Sequence, residues 1–403
     1  MKLNKSYRLL KFINRPFSKL SRVILALISF LPSLLLSLSF PVTKIIVNDF
    51  LKREPKLAFR RAGWLVKKSW LKLSLIDDPF FNFTEGLSLL ELNHLQTYLT
   101  QRASKLDQHE FTTDMLFIQA AMIQNKIELG TSNQQDIEKE VTAFYGNADQ
   151  LLAGLNIEQI KPQVQACDKE RRGDFDADKA LEALKYFAEV LPNNVYPWYL
   201  ISGTLLGFYR EKGFLKHDYD IDLGINFDKS TYMQLIEKLQ SSSFVIAKLD
   251  DYCEVIKDQT SIYKLHTLPA IIKLVHPNGI TIDFFLHHQA ANMLWHGSSI
   301  HRWENAAFDL QKEDFLGVKV YVPTNVEQYL TENYGDWRTP IKSFDCSTGT
   351  PNLTIAKNFL SFALFLKRLR VFNQENPDAY KKLEHALDKQ GIILNNKFNR
   401  ELI

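Results

Sequence analysis

Cysteine is scarce in this chain, which has three cysteines in 403 residues, at Cys167, Cys253 and Cys346. They are odd in number, lie far apart and never form a C-x-x-C pair, so the sequence implies neither a disulfide framework nor a cysteine zinc site. A reducing compartment fits this usage. The chain also lacks internal repeats and low-complexity tracts. With 45% hydrophobic and 12% aromatic residues it can bury a sizeable core, and its length predicts two or three domains.

A strong net charge is missing as well, since the formal net charge is only +3. The basic residues are nevertheless unevenly placed, because residues 1–72 hold 16 Lys/Arg against 2 Asp/Glu. This charge flanks an apolar segment instead of lining a groove with aromatic residues, so we expect no nucleic-acid partner. Its position favours contact with an anionic membrane surface or another polyanion.

The apolar segment is Val23–Val42, which has 20 uncharged residues, about the minimum that spans a bilayer. Pro32 and Pro41 weaken it as a straight span, and basic residues lie on both sides, so the positive-inside rule gives no clear orientation. No A-x-A-like site follows, which disfavours a cleaved signal peptide. We expect a membrane anchor, either one span or a kinked helix in the lipid interface. A buried helical hairpin broken at Pro32 is the alternative.

Hydrophobic periodicity divides the chain into four segments of a mixed α/β protein of the α+β class. Apolar residues at three- and four-residue spacing predict amphipathic helices over 87–99, 115–129 and 137–155. An apolar helix is also predicted over 353–372, docked on the core domain or in a second membrane contact. The segments are a basic, apolar, membrane-associated N-terminus (1–75), a helical accessory region (76–178), a core domain (179–345) and a C-terminal helical segment (346–403).

The densest chemistry follows a buried strand that we predict over 196–202. A short helix comes next and ends at Arg210. Gly203 allows a close backbone approach at the turn, and Thr204 can cap the helix, whose first N–H groups favour an anion. Arg210 could turn back to a phosphate, because its planar guanidinium suits two oxygens. An ordinary solvated charge is the alternative for this arginine.

Three acids then fall at every second position, at Asp218, Asp220 and Asp222. On a predicted strand over 218–227, period two places all three carboxylates on one face. Like charges stacked in this way repel, and partial burial raises the cost, so we expect a divalent cation there. Of the histidines, only His217, which precedes the row, is a candidate for substrate contact.

A fourth acid stands on a predicted hairpin. Pro277-Asn278-Gly279 separates apolar runs at 271–275 and 280–288, and Asn-Gly between such runs is a strong hairpin signal. Asp283 is the one acid in the second run, and a buried carboxylate usually needs a partner or a metal. A structural aspartate held by backbone N–H groups is the alternative. Short strands are predicted earlier, at 244–247, 253–257 and 262–268.

The pattern S-G-T-L-L-G-x-x-R-x7-D-x-D-x-D resembles the hallmark of the LicD/fukutin family, and residues 315–337 resemble that family's C-terminal signature. The resemblance covers roughly residues 180–340. It implies a nucleotidyltransferase fold, in which a Gly-Ser/Thr turn holds phosphates and three carboxylates hold Mg²⁺ or Mn²⁺. It also implies transfer of ribitol phosphate, glycerol phosphate or phosphocholine from a CDP-activated donor to a glycan or polysaccharide acceptor, with release of CMP.

The resemblance assigns roles to seven residues. One departure matters, because some members carry a cysteine zinc knot in this domain and the cysteines here cannot form it. Asp283, on the neighbouring strand, is also the best-placed acid to take the acceptor's proton. The matched positions are Gly203 and Thr204 for the phosphate turn, Arg210 for the arginine that follows it, Asp218 for an acid before the metal pair, Asp220 and Asp222 for that pair, and Asp283 for the third carboxylate.

Two other functions stay open. A D-x-D glycosyltransferase that uses a nucleotide sugar has a similar acid pair, although the G-T-L-L-G turn argues against it. An inactive membrane scaffold of a glycan-assembly complex is the second, and the intact acid set argues against that. The N-terminal segment favours the cytoplasmic face of a bacterial inner membrane. A luminal Golgi membrane is the alternative, which the Asn-X-Ser/Thr triplets at Asn4, Asn82 and Asn352 would fit.

Overall fold

The structure is a computed structural model of a mixed α+β protein. The described residues form two compact units. Unit 1 comprises those within 1–164, 257–264 and 362–403, and unit 2 comprises those within 165–256 and 265–361. The ranges that the structure describes are 19–37, 39–52, 55–69, 78–130, 133–155, 175–216, 218–259, 262–340 and 350–403.

Twelve α-helices occur in the described residues. In chain order they are α1 (Lys19–Ser37), α2 (Phe40–Lys52), α3 (Pro55–Lys67), α4 (Leu89–Thr100), α5 (Gln108–Leu129), α6 (Gln134–Ala153), α7 (Ala177–Val190), α8 (Ser202–Leu206), α9 (Lys229–Gln240), α10 (Val326–Tyr334), α11 (Phe359–Glu375) and α12 (Pro377–Lys389). A π-helical turn, Gly207–Glu211, continues α8, and 3-10 turns lie at Ala103–Lys105 and Arg400–Leu402.

Twelve strands occur in the same residues. They are β1 (Tyr199–Leu200), β2 (Asp220–Asn226), β3 (Val245–Lys257), β4 (Tyr263–Val275), β5 (Thr281–Ala290), β6 (Met293–Gly297), β7 (His301–Ala306), β8 (Leu310–Phe315), β9 (Val318–Pro323), β10 (Leu353–Ile355), β11 (Ile393–Leu394) and β12 (Lys397–Phe398).

The helices of unit 1 begin at polar capping residues. Ser88 and Glu91 form a reciprocal capping box at the start of α4, and the side chains of Asp107 and Asn133 cap α5 and α6. α5 ends at Gly130, which has a φ of +60°. The three helices predicted over 87–99, 115–129 and 137–155 are confirmed. α5 starts earlier than predicted, because the cap at Asp107 precedes the apolar periodicity.

A buried ion pair joins α2 and α3 within unit 1. Asp49 and Arg61 bind each other, and both side chains are fully buried. Arg61 also donates to the carbonyl oxygens of Phe83 and Glu85, at 2.7 Å each. These additional hydrogen bonds matter because a charge removed from water needs all of its donors satisfied. The next arginine along, Arg60, forms a partly exposed pair with Asp78.

The uncharged N-terminal stretch does not form one helix. α1 ends at Ser37, and Ser39 accepts hydrogen bonds from the backbone and the hydroxyl of Thr43 at the start of α2. The break at Pro32 that the alternative hairpin required does not occur, since Pro32 lies inside α1, which therefore gives up one helical hydrogen bond without ending. Among the described helices, none combines the length and apolarity needed to cross a membrane.

One face of α1 carries large apolar side chains that stay exposed. Five of them recur at three- and four-residue spacing and are 47% to 72% exposed, namely Leu20, Ile24, Leu27, Leu31 and Leu35. This spacing places them on one stripe of the helix. The described part of α1 therefore turns an apolar stripe away from the core of unit 1.

Unit 2 is built around a large mixed sheet. β2 and β5 are parallel neighbours at its centre, and β1 lies antiparallel to β2 and parallel to β9. The strand order is β10-β7-β6-β5-β2-β1-β9-β8, and β4 pairs with both β3 and β5. Phe187 of α7 seats that helix on the sheet through edge-to-face contacts with Trp198 and Phe284, at 5.3 and 5.2 Å between ring centroids.

Three predicted elements differ from the structure. The short strands at 244–247 and 253–257 are one strand, β3, and those at 262–268 and 271–275 are one strand, β4, which continues through Pro269. The Pro269 carbonyl oxygen lies 2.8 Å from Nε2 of His288, so the proline keeps a partner on the sheet. The apolar run at 353–372 begins with β10, and its helix starts only at Phe359.

Candidate active site

Three carboxylates converge where the chain enters β2. Oxygen atoms of Asp218, Asp220 and Asp222 all lie within 4.8 Å of one another. Asp218 precedes the strand, while Asp220 and Asp222 belong to it and point to the same face. The predicted acid row is therefore a spatial cluster, which we call the acid cluster. His217, the histidine predicted beside it, lies outside the described residues.

The turn before α8 holds Asp222 in place. The Gly203 N–H donates to Oδ2 of Asp222 at 3.0 Å, and the Asp222 N–H donates to the Thr204 hydroxyl oxygen at 2.8 Å. The prediction that Thr204 caps the helix is wrong, because Ile201 is the N-cap residue and Thr204 lies inside α8. Ser202 adopts a φ of +46°, a left-handed conformation that is unusual for a residue other than glycine.

Gly203 is required by a close approach to the acids. A Cβ atom at this position would lie 2.5 Å from Oδ2 of Asp218 and 3.3 Å from Oδ2 of Asp222. Any larger residue would push the carboxylates apart. The structure therefore shows a close backbone approach at Gly203, as predicted. The group that approaches is a carboxylate of the protein. Its role in binding phosphate stays a prediction.

The fourth acid lies one strand away. Asp283 on β5 is the register partner of Asp222 on β2 and of Lys273 on β4. The predicted hairpin between β4 and β5 is confirmed, with Gly279 at a φ of +93° and the His276 N–H bound to the Ile280 carbonyl. Lys273 and Asp283 form an ion pair through Nζ and Oδ2. Asp283 is thus a neighbour of the acid cluster, and its role as third metal ligand stays a prediction.

Burial and mutual repulsion raise the pKa values of the three acids. Burial, together with the charges of Asp283 and Asp218, raises the pKa of Asp220 to about 8. Burial raises the pKa of Asp218 to about 6, and burial with the neighbouring carboxylates raises the pKa of Asp222 well above its usual range. Carboxylate oxygens are the donors that Mg²⁺ and Mn²⁺ prefer. The donor set, its close spacing and its uncompensated charge fit a divalent cation.

Arg210 makes contacts on the side of the π-helical turn. Its Nη1 donates to the carbonyl oxygen of Trp337 at 2.8 Å, and its Nε donates to Glu211 at the same distance. Arg210 therefore ties the turn to the segment after α10. Its predicted contact with a phosphate stays a prediction.

Two residues beside the acids were missed from the sequence. Burial raises the pKa of Tyr329 on α10, and the charge of Asp222 adds to that effect, which places the phenol near the acid cluster. No pattern pointed to this tyrosine. Lys273 did leave a signal, since it and Asp283 stand symmetrically about Asn278, the centre of the Pro277-Asn278-Gly279 turn. Opposite charges placed symmetrically about a hairpin turn are expected to face each other.

Comparison with known proteins places the site inside a defined domain. Residues 195–325 match the model of a family described as LicD/FKTN/FKRP, nucleotidyltransferase domain. The match contains the acid cluster, Gly203, Lys273 and Asp283. It ends just before α10.

Three curated relatives each match less than half of this chain. Ribitol-5-phosphate transferase FKTN of Mus musculus is 28% identical over 186 residues, which is 43% of this chain and 36% of that protein. Its Homo sapiens counterpart is 25% identical over 185 residues, again 43% of this chain and 36% of that protein. An uncharacterized protein of Rickettsia prowazekii is 23% identical over 184 residues, or 45% of this chain and 61% of that protein.

The matched stretch thus spans about a third of the length of the two transferases. Identity of this order over a partial length supports shared ancestry of the matched part. Residues 195–325 of this chain thus contain a domain that matches the LicD/FKTN/FKRP family model.

Proposed function

We propose that this chain transfers a phospho-alditol group, with ribitol phosphate as the first candidate, from a CDP-activated donor to a glycan acceptor. Glycerol phosphate and phosphocholine are the alternatives for the group that is moved. The observation that carries this proposal is the convergence of Asp218, Asp220 and Asp222 within a domain of this family. Two of the relatives are named as ribitol-5-phosphate transferases, which supports ribitol phosphate over the other groups. A nucleotidyltransferase-type arrangement of the unit 2 sheet is part of the proposal.

The acids would carry the proposed chemistry. Asp220 and Asp222 would hold Mg²⁺ or Mn²⁺, with Asp218 already within reach and Asp283 on the adjacent strand. A cation bound there would neutralise charge on the diphosphate of the donor. The acceptor hydroxyl forms a bond to the distal phosphorus, the bond from that phosphorus to the bridging oxygen breaks, and CMP leaves. The hydroxyl proton passes to a carboxylate, for which we propose Asp283.

The direct test offers the full chain CDP-ribitol, CDP-glycerol and CDP-choline with a glycan acceptor. We expect CMP release with Mg²⁺ or Mn²⁺ and none with EDTA. Release from CDP-ribitol at the highest rate supports the proposed group. If none of the three donors yields CMP while a nucleotide sugar yields UDP or GDP, the glycosyltransferase alternative is correct.

Replacing the metal pair tests the assignment of the acids. Asp220→Asn and Asp222→Asn should each lower the rate of transfer by about 100-fold or more. Both variants should fold, and relief of repulsion should keep or raise their unfolding temperature. Asp314→Asn is the matched control, since Asp314 pairs with Lys319 on the β8–β9 hairpin. Metal-dependent turnover that persists in both site variants would contradict the assignment.

We also propose that the apolar stripe of α1 rests on an anionic lipid surface, with the helix lying in the plane of the membrane. The stripe is exposed in the described residues, and α1 contains no acidic residue. Residues 1–72 supply an excess of basic charge that complements anionic headgroups. The cytoplasmic face of a bacterial inner membrane is the site that we propose, with a luminal Golgi membrane as the alternative.

Vesicle sedimentation tests this attachment. The full chain should bind vesicles that contain phosphatidylglycerol and should bind phosphatidylcholine vesicles less. The double variant Leu27→Glu, Leu31→Glu should lower that binding about tenfold or more, because it places charge on the stripe. Leu90→Glu is the control, since Leu90 is exposed on α4, outside the stripe. Equal binding of the double variant and the control would contradict the proposal.

A further inference from the structure

Lys273 on β4 brings a positive charge to the acids. It lies opposite Asp283 across the β4–β5 ladder, and Asp283 lies opposite Asp222 across the β5–β2 ladder. The three side chains therefore form one row on one face of the sheet. In this row Lys273 binds Asp283 directly and stands two strands from Asp222.

The charge of Lys273 reaches beyond its partner. It also opposes the rise in the pKa of Asp220, so it partly compensates the acid cluster. Asp283, however, stays outside the group of three converging acids and is held on its far side by the ammonium group. A lysine in this position occupies an oxygen that a divalent cation could otherwise bind.

The side chain has room to leave this contact. Lys273 is 41% exposed, whereas Asp283 is 13% exposed and is fixed on a central strand. An ammonium group on a flexible four-carbon stem can exchange one oxygen anion for another, and phosphate oxygens are among its usual partners. The exposed lysine can therefore move while the buried carboxylate stays.

We propose that Lys273 is an exchangeable countercharge, which binds Asp283 before a divalent cation arrives and then binds the diphosphate of the incoming nucleotide. The inference rests on the proposed function, because it assumes a divalent cation at the acids. It assigns Lys273 a positioning and binding role toward the donor. It also reconciles the ion pair between Lys273 and Asp283 with a place for Asp283 in the proposed cation site.

The two halves of the proposal predict effects of opposite sign in one variant. In Lys273→Met, Mn²⁺ alone should bind about tenfold more tightly, because a nearby positive charge no longer opposes it. CDP, added in the presence of saturating Mn²⁺, should bind about tenfold more weakly, because its diphosphate has lost a cationic partner. Lys273→Arg keeps the charge and should change the affinity for Mn²⁺ much less than the methionine variant does.

Calorimetry with Mn²⁺ and with CDP measures both affinities on the full chain. The matched control is Lys319→Met, since Lys319 pairs with Asp314 across another antiparallel hairpin in the same way. The control should leave both affinities unchanged. Weaker Mn²⁺ binding in Lys273→Met, or unchanged CDP binding, overturns the inference. If the unsubstituted chain binds no Mn²⁺, the cation site itself fails, and the proposed function fails with it.

Amine labelling tests the exchange without any substitution. An N-hydroxysuccinimide ester should label Lys273 faster once Mn²⁺ is added, because the cation frees the lysine from Asp283. Adding CDP to the Mn²⁺-loaded chain should slow the labelling again. Lys319 serves as the internal reference in the same digest. A labelling rate of Lys273 that responds to neither addition overturns the inference even where the methionine variant fails to fold.

Discussion

At the scale of single residues, the site depends on how closely a backbone can approach three carboxylates. A Cβ atom at position 203 would collide with Oδ2 of Asp218, and the Gly203 N–H holds Asp222 by a hydrogen bond. The side chain that is absent from position 203 is therefore what allows the acids to converge. The conformation of Gly203 is not itself left-handed, so the requirement is steric.

Gly203→Ala should damage the site more than the fold. The new methyl group would meet the ends of Asp218 and Asp222, which can shift without disturbing the core. Misplacing the acids by a fraction of an ångström to about 1 Å should lower transfer on the order of 100-fold, while the unfolding temperature stays close to that of the unsubstituted chain.

Gly213→Ala is the control for this substitution. A Cβ atom at position 213 meets nothing within 4 Å, and Gly213 has no positive φ. Transfer assays and thermal unfolding compare the activity and the unfolding temperature of Gly203→Ala and Gly213→Ala. Equal activity of the two variants would show that the close contact at position 203 does not govern the site.

At the scale of elements, sequence patterns predicted the structure correctly where the deciding interactions are local. The capping residues and the helical periodicity predicted α4, α5 and α6, and the Asn-Gly turn predicted the β4–β5 hairpin. The acid row was also predictable, because period two on a strand is a local rule. The partner of Asp283 needed the register of a hairpin, which symmetry about the turn could have supplied.

The patterns failed where tertiary contacts decide. Strand β4 continues through Pro269 because the neighbouring strand supplies a contact for its carbonyl, which no property of the proline predicts. Tyr329 reaches the acids from α10, more than a hundred positions after Asp222, and Arg210 turns to Trp337 instead of the acids. Contacts at such separations leave no trace in a single sequence.

The α2–α3 pair in unit 1 gives a test at this scale. Arg61→Leu should lower the free energy of unfolding by about 3–5 kcal/mol, because it leaves the Asp49 carboxylate buried without its main countercharge. The double variant Asp49→Leu, Arg61→Leu should recover part of that loss, since both charges are removed together. Denaturant unfolding of the single and double variants measures both effects.

The neighbouring arginine provides the comparison. Arg60→Leu breaks a partly exposed pair with Asp78 and should cost about 1 kcal/mol or less. If Arg61→Leu is no more costly than Arg60→Leu, burial does not make the α2–α3 pair important. If the double variant is no more stable than Arg61→Leu alone, the cost lies in the lost hydrogen bonds to Phe83 and Glu85.

At the scale of the whole molecule, the two units handle buried ionisable groups in different ways. Unit 2 buries His287 and His296, whose rings lie 4.6 Å apart. Burial lowers the pKa of His296 to about 3, and burial with repulsion from His296 lowers the pKa of His287 well below its usual range. In unit 1, burial opposes ionisation of Glu110, but Lys68 and Lys67 bring its pKa below the ordinary value.

These shifts predict different acid thresholds for the two units. Unfolding lets His287 and His296 take up protons that the fold excludes, so their contribution to the stability of unit 2 is lost as the pH falls below about 6.5. The raised pKa values of Asp218 and Asp220 act in the opposite direction, because the fold binds these protons more readily than the unfolded chain does. The contribution of Glu110 is present above about pH 4.5, the ordinary value for the carboxyl, and is lost as the pH falls through the lowered pKa. Unit 1 should therefore keep this contribution between these two values.

Hydrogen exchange at a series of pH values, corrected for the intrinsic rate, measures each unit separately. Relative to His296→Phe, amides of β5 and β6 in the unsubstituted chain should lose protection between about pH 6.5 and pH 5, while amides of α5 keep theirs. His296→Phe should flatten the response of unit 2, and His266→Asn is the control because His266 is exposed. Loss of protection in both units over the same pH range would contradict the prediction.

The division of the chain between the two units has a consequence for synthesis on the ribosome. Unit 2 takes all of its residues from the middle of the chain, whereas unit 1 is completed by residues 362–403. Within unit 1, Phe398 packs on Phe144 and Tyr145, and Nζ of Lys367 binds the Phe81 carbonyl oxygen at 3.0 Å. The early helices leave the exit tunnel long before these partners exist. The sheet of unit 2 can therefore close first, and α5 and α6 must wait with part of their apolar surface uncovered. We expect this uncovered surface to favour chaperone binding during translation.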